Sequence, residues 1–285
     1  MLISNEWKDY EILDMSNGEK LEKWGNIYLI RPDPQIIWQE KTKPELWKKA
    51  HGHYHRSNKG GGEWEFKKKI PASWQIHYKD LTFNLKPMGF KHTGLFPEQA
   101  VNWDFMMEKI KKARRPIKVL NLFAYTGGAT CACLKAGASV CHVDSSKGMT
   151  QWAKENVESC GLKDAPVRFI IDDVIKFVQR EIRRGNRYDA IVMDPPSYGR
   201  GANGEVWNIE DSLYKLVELC TQVLSDNPLF FLINSYTTGH SSTILANVLS
   251  LTIRQKGKVS CGEIGLPMKD SKLILPCGIY GRWES

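Results

Sequence analysis

From residue 116 onward, short apolar runs alternate with longer amphipathic stretches. The run 117–123 (IKVLNLF) precedes a helix-like segment at 127–137, and 138–144 (ASVCHVD) precedes another at 146–161. The same alternation gives a strand at 166–171 with a helix at 173–185, and a strand at 188–194 with a helix at 210–225 after a long loop. A strand at 228–235 and a helix at 241–255 follow, then two late strands near 258–265 and 273–283. Strands that are apolar at successive positions belong to a sheet covered on both faces. Strands alternating with helices of this length imply right-handed crossovers. The expected fold is therefore α/β: a doubly wound, mostly parallel, seven-stranded Rossmann-like sheet over 116–285.

The first part of the chain has another pattern, and composition changes near residue 115. Seven of the ten tryptophans (Trp7, Trp24, Trp38, Trp47, Trp64, Trp74 and Trp103) lie before that point. The alternation of Ile76 and Tyr78 with Leu81, Phe83 and Leu85 around Lys79-Asp80 predicts a hairpin. Residues 1–90 are expected to form a smaller β-rich region, with 91–115 as a lead-in hairpin and helix. No internal repeat is present.

Charge narrows the partner. The net charge is +8, concentrated in Lys41, Lys43, Lys48, Lys49, Arg56, Lys59, Lys67, Lys68 and Lys69, and again in Lys109, Lys111, Lys112, Arg114 and Arg115. Such clusters suit a polyanion, or else form a solvated basic face. No apolar run approaches the roughly 20 residues of a membrane span, and acids near the N-terminus do not fit a signal peptide; the expected location is cytoplasmic. The seven cysteines lack the paired short spacings of a zinc site and read as reduced, mostly buried thiols.

In a doubly wound sheet, ligands bind beyond the carboxyl ends of the strands. The first strand end carries Gly127-Gly128 directly before a helix, but no G-x-G-x-x-G, so the dinucleotide fingerprint fails. The second carries Asp144, placed either to accept ribose hydroxyls or to cap the next helix, a role that Ser145 could fill as well. The third carries Asp172-Asp173-Val174, where one carboxylate can cap a helix and the other can accept from an exocyclic amine. The fourth carries Asp194-Pro195-Pro196. Proline fixes φ and removes the N–H, so Asp194 and the adjacent carbonyls are held rigid as acceptors.

These residues resemble the class I S-adenosylmethionine-dependent methyltransferases, and most of all the bacterial ribosomal-RNA large-subunit group. The segments that carry the likeness are 119–130 (VLNLFAYTGGAT), 140–156, 170–178 and 191–201 (IVMDPPSYGRG), with 91–99 (KHTGLFPEQ) similar to the family's lead-in hairpin that closes over the cofactor. The resemblance implies S-adenosylmethionine as cofactor and RNA, ribosomal RNA above all, as partner. It places Phe123, Tyr125, Thr126, Gly127 and Gly128 around the ribose and methionine parts, and Asp144 on the ribose hydroxyls with Ser145 beside it. It sets Asp173 and Val174 at the adenine, and Asp194 at the methionine end beside the methyl group. Asp194, Pro195, Pro196 and Tyr198 would then be the catalytic side, with Arg200 also placed to touch substrate.

Two departures bear on the acceptor. Methylation at cytosine C5 needs a cysteine nucleophile, and relatives with that chemistry place one after the fifth strand, where this chain has 234–236 (NSY). A base nitrogen needs no covalent intermediate and is the expected target. Ser197 also separates Pro196 from Tyr198, where amino-methylating enzymes often have the aromatic directly after Pro-Pro. A small molecule or a protein side chain is the alternative acceptor. Tyr198 offers a face for stacking an extruded base, and the Trp- and Lys-rich first region suits either nucleic acid or packing.

Overall fold

The computed structural model describes residues 1–57, 61–200, 204, 206–237 and 239–285; Lys59 of the first basic cluster and the Arg200 side chain lie outside the described parts. The chain groups into two compact units. One comprises Leu2–Val101 with Ile264–Cys277, the other Met1 with Asn102–Glu263 and Gly278–Ser285. The chain passes from the first to the second inside the 91–115 segment, and the sequence around the last turn, 264–277, groups with the first.

The first unit opens with β1 (Leu2–Ile3), then β2 (Tyr10–Ser16), β3 (Glu19–Trp24) and β4 (Ile27–Pro32). A one-turn helix α1 (Pro44–Trp47), β5 (Gly52–Arg56) and β6 (Gly62–Phe66) complete a five-stranded sheet of order β2-β3-β4-β5-β6. The expected hairpin is present as β7 (Trp74–Tyr78) and β8 (Leu81–Leu85), with Tyr78 opposite Leu81. Lys79 takes the positive φ that its two-residue turn needs.

Tryptophan in this region serves packing. Trp24 and Trp47 are buried, and Trp7, Trp38, Trp64 and Trp74 are half-buried. Four of their indole N–H groups donate within the unit, to Pro97 O, Met15 O, Asp14 and Met88 O. An indole has a single donor, so none of these four has one left for a base.

The second unit begins with α2 (Ala100–Ala113) and then alternates as the sequence predicts: β9 (Lys118–Leu122), α3 (Gly128–Lys135), β10 (Ser139–Asp144), α4 (Lys147–Ser159), β11 (Val167–Ile171), α5 (Val174–Arg183) and β12 (Ala190–Met193). After β12 comes a short antiparallel pair, β13 (Tyr198–Arg200) and β14 (Val206–Asn208), inside the segment expected to be loop. Then follow α6 (Ile209–Thr221), β15 (Phe230–Ser235), α7 (Ser242–Thr252), β16 (Lys258–Pro267) and β17 (Ile274–Glu284). Helix α6 stops four residues earlier than expected because Leu224 leaves to bridge Tyr188.

The sheet order is β1-β16-β17-β15-β12-β9-β10-β11. Strands β11, β10, β9, β12 and β15 are parallel neighbours, and β17 runs antiparallel to β15. The doubly wound sheet is thus as expected, with the two-residue β1 added at one edge. Strand order reverses between β9 and β12, so their carboxyl ends form the switch point where such sheets bind ligands. Leu120, Leu122, Ile191, Met193, Phe231 and Ile233 are fully buried at the sheet's centre, which holds those strand ends in place.

The second basic cluster is largely neutralised. Lys109 pairs with Glu284, Lys112 with Glu108, and Arg115 with Asp189 at 2.8 Å.

The first unit contains a buried ion cluster. Glu22 is inaccessible to solvent and accepts from Arg31 Nε (2.6 Å), Arg31 Nη2 (2.8 Å) and Tyr10 Oη (2.6 Å). Burial opposes its ionisation, but the charges of Arg31 and Lys20 and these hydrogen bonds hold its carboxyl down to about 2, against 4.5 ordinarily. The stabilisation is therefore complete above about 4.5 and is lost as pH falls through 2. Glu22→Ala should lower the unfolding free energy by about 3–5 kcal/mol by stranding Arg31. Urea unfolding at neutral pH checks this, and the same melts at descending pH should show the mutant losing less stability below 4.5 than the parent.

Candidate active site

The loop after β9 is bent by three left-handed residues, Phe123 (φ 54°), Tyr125 (φ 52°) and Gly127 (φ 81°). For the two side-chain-bearing residues this conformation is strained by roughly 1–3 kcal/mol each. Asp144, at the end of neighbouring β10, holds the bend: its Oδ2 accepts the Tyr125 N–H and its Oδ1 the Ser146 N–H, both at 2.8 Å. Asn156 of α4 adds a bond to the Thr126 carbonyl (2.8 Å). Ser146, rather than Asp144 or Ser145, caps α4 by accepting from Met149 N.

Both glycines of this loop answer to packing. A β-carbon on Gly127 would stand 3.0 Å from Ala153 Cβ, and one on Gly128 would stand 2.8 Å from the Trp103 ring.

Beyond β11, the two acids divide their work. Asp173 caps α5 by accepting from Lys176 N (2.9 Å), while Asp172 accepts from Asp173 N (2.9 Å) and pairs with Arg180.

Beyond β12, Asp194 is half-buried, Pro195 buried and Pro196 exposed. Asn234, at the end of β15, donates to Asp194 Oδ1 (3.3 Å). Behind it, Asn102 Nδ2 reaches Asn234 Oδ1 (3.5 Å) and Arg282 Nη2 donates to Asn102 Oδ1 (2.6 Å). Arg282 is buried over the Phe105 and Tyr280 rings, and burial pulls its guanidinium down to about 10, still cationic near neutrality. A positive charge thus backs Asp194 through two amides. The Asp-Pro-Pro turn is pinned by Trp207, whose Nε1–H donates to Pro196 O (2.6 Å), and by Ser197 Oγ against Thr237 Oγ1 (2.8 Å). Tyr198 is 57% exposed at the start of β13.

A cavity of about 390 Å³ opens at these strand ends. Of the residues expected to hold a cofactor, Phe123, Asp144, Ser145, Asp173 and Val174 line it, while Tyr125, Thr126, Gly127, Gly128 and Asp194 are not among its walls; of the expected catalytic side, Pro196 lines it, and Pro195 and Tyr198 do not. Ile175, Lys176, Gln179, Gly199, Val206 and Trp207 complete much of the remainder. Trp207 packs against Phe123 with ring centres 5.0 Å apart. The volume falls in the range of roughly 300–1,000 Å³ typical of small-molecule sites, and the wall pairs apolar faces with three carboxylates. Sequence reasoning missed Trp207 and the Asn102–Asn234–Arg282 relay; the apolar pair Val206-Trp207 between Glu205 and Asn208 was the one available signal for the former.

A family model described as S-adenosylmethionine-dependent methyltransferase matches residues 46–244, well over half of the chain. The chain belongs to this family. It is 36% identical to a crystal structure of a SAM-dependent methyltransferase from Agrobacterium tumefaciens, over 99% of this chain and 92% of that one, with a TM-score of 0.95. Among curated proteins it is 26% identical to Ribosomal RNA large subunit methyltransferase K of Neisseria meningitidis, covering 74% of this chain and 61% of that one. It is 42% identical to Ribosomal RNA large subunit methyltransferase I of an Enterobacter species, over 45% of this chain and 32% of that one. The chain therefore spans less than two thirds of either curated relative. The family's methyl donor is S-adenosylmethionine, and the cavity suits it: apolar walls for a flat base, and acceptors for hydroxyls and an amine. Among the described residues, no helix is long and apolar enough to cross a membrane.

Trp207→Phe should lower stability by about 1 kcal/mol through loss of the bond to the Pro196 carbonyl. Trp207→Ala should cost about 3–5 kcal/mol and weaken cofactor binding as well, since it removes the wall against Phe123. Thermal unfolding with calorimetric titration of S-adenosylmethionine checks both; a Phe variant as stable as the parent would remove the hydrogen bond from the account.

Proposed function

We propose that the chain methylates a nucleobase of ribosomal RNA in the cytoplasm, at a ring or exocyclic nitrogen rather than at cytosine C5. The observation that carries this reading is the juxtaposition, at one switch point, of a carboxylate-walled cavity and a rigid Asp-Pro-Pro turn. S-adenosylmethionine supplies a methyl group already activated on a sulfonium, so positioning can account for much of the acceleration, on the order of 7–11 kcal/mol at best.

Asp144 holds the ribose. Burial raises its pKa despite the N–H groups of Ser146 and Tyr125, so its charge is left short of donors. A carboxylate has about four lone-pair sites, and two ribose hydroxyls would occupy the pair that remains, beside Ser145. Val174, Phe123 and Trp207 sandwich the adenine, and Asp173, with one oxygen on Lys176 N, offers the other to its amine. Tyr125, Thr126, Gly127 and Gly128 shape the path toward the methionine end. Asp194, steadied by Asn234, accepts an N–H of the target base and aims the nitrogen lone pair at the methyl group, while Tyr198 stacks on the extruded ring.

The thiol chemistry supports nitrogen over carbon. C5 transfer needs a thiolate, and residues 234–236 after β15, where Asn234 meets Asp194, hold no cysteine. Cys220 is fully buried in α6, and burial drives its thiol far above the ordinary range. RNA as the acceptor rests on the curated relatives' names and on the lysines of the first unit, since the second cluster is mostly paired.

Asp144→Ala should weaken S-adenosylmethionine binding about 10- to 100-fold, matching about 1.5–3 kcal/mol per charged hydrogen bond; unchanged affinity in calorimetry would refute the ribose assignment. Asp194→Ala should cut turnover more than it weakens cofactor binding, which single-turnover assays on ribosomal RNA beside calorimetric titration can read; a fully active variant would remove Asp194 from the mechanism. Mass spectrometry of nucleosides from cells with and without the protein should reveal one missing methylated base. An unchanged nucleoside profile would move the acceptor to a small molecule or a protein side chain.

A further inference from the structure

Strands β5 and β6 form the open edge of the five-stranded sheet. Their antiparallel register sets His53 opposite Glu65 and His55 opposite Glu63. Because side chains two apart on a strand share a face, two imidazoles and two carboxylates project together. The His53 and His55 ring centres are 4.0 Å apart. Glu19 of β3 adds a third carboxylate, 2.5 Å from His53 Nε2, and Glu65 Oε2 lies 2.8 Å from His55 Nε2. One ligand atom from each of His53, His55 and Glu65 falls within 4.8 Å of the others.

Two separate His–Glu hydrogen bonds on a solvated face would contribute little to stability. Nor do they explain why two imidazoles stand with ring centres 4.0 Å apart between Glu19 and Glu65. A divalent cation accounts for the clustering of these ligand atoms within 4.8 Å. In a tetrahedral site with ligands at roughly 2.0–2.2 Å, neighbouring ligand atoms stand about 3.4 Å apart, which small side-chain rotations reach from the present spacing. His53, whose Nε2 meets Glu19, keeps Nδ1 for an ion, and a carboxylate on the second nitrogen is the usual partner of a metal-bound histidine; His55 Nε2 and Glu65 would exchange their mutual hydrogen bond for bonds to the ion.

We propose that His53, His55 and Glu65 bind one divalent transition-metal ion of the zinc class, with Glu19 orienting His53. Two nitrogens and one oxygen suit zinc far better than magnesium, which demands oxygen ligands. The ion would fasten the edge strand β6 to β5 and, through Glu19, to β3. The site is independent of methyl transfer.

The test is calorimetric titration of chelator-treated full-length protein with Zn²⁺, with Mg²⁺ in parallel and bound metal counted by mass spectrometry. One Zn²⁺ per chain is expected, with a rise in melting temperature and no response to Mg²⁺. His55→Ala and the isosteric Glu65→Gln should each weaken binding at least about tenfold and abolish the rise. Cys261 and Cys277 are the cysteines with partial solvent access, so a Cys261→Ser/Cys277→Ser variant should bind as the parent does. Absence of Zn²⁺ binding, binding undiminished in both ligand variants, or loss confined to the cysteine variant would overturn the proposal.

Discussion

The site depends on one carboxylate. Asp144 draws the Tyr125 N–H across from the adjacent loop and the Ser146 N–H from its own chain, and thereby ties the end of β9 to the start of α4. Two hydrogen bonds to an ionised acceptor, roughly 1.5–3 kcal/mol each, are of the same size as the strain of placing Phe123 and Tyr125 in left-handed backbone. That tie acts together with the Trp207 ring packed on Phe123 and the Asn156 bond to the Thr126 carbonyl to keep Phe123 at the cavity wall. Asp144 also lines the cavity, so one residue both shapes the loop and forms part of the wall beside it.

Much of the fold is legible in the sequence because burial on both faces writes itself as continuous apolar runs. The strands of the second unit lie within about two residues of their expected limits, and the doubly wound, mostly parallel sheet is the one their alternation with helices implies. The short pair β13–β14 escaped because three-residue strands inside 197–208 have no room for a period. Trp207 was hidden by the same brevity. The relay from Arg282 through Asn102 to Asn234 is illegible for a different reason: its members lie 180 and 132 positions apart, and only the folded sheet brings an amide of α2 between strand ends.

Other residues were visible, but their tasks were not. Gly127 and Gly128 look like a ligand cradle on paper; in the fold their missing side chains make room for Ala153 and Trp103. By residue type alone Asp172 and Asp173 are interchangeable, and the structure separates them into an ion-pair partner and a helix cap. The basic clusters look alike as strings, yet one is largely spent on Glu284, Glu108 and Asp189. Charge counted along a sequence overstates what a partner meets, because pairing is settled in three dimensions.

The close fit at Gly127 and Gly128 has a consequence for transplantation. The segment 121–130 looks like a portable module, short enough to graft into another doubly wound sheet. It would arrive without its complement. The Trp103 ring lies where a Gly128 side chain would begin, and Ala153 fills the same office for Gly127, so a recipient with other residues there would leave a void or a collision under the bend. The transferable unit is therefore three-dimensional: the loop, the tryptophan from α2 and the small residue of α4, inherited together or not at all.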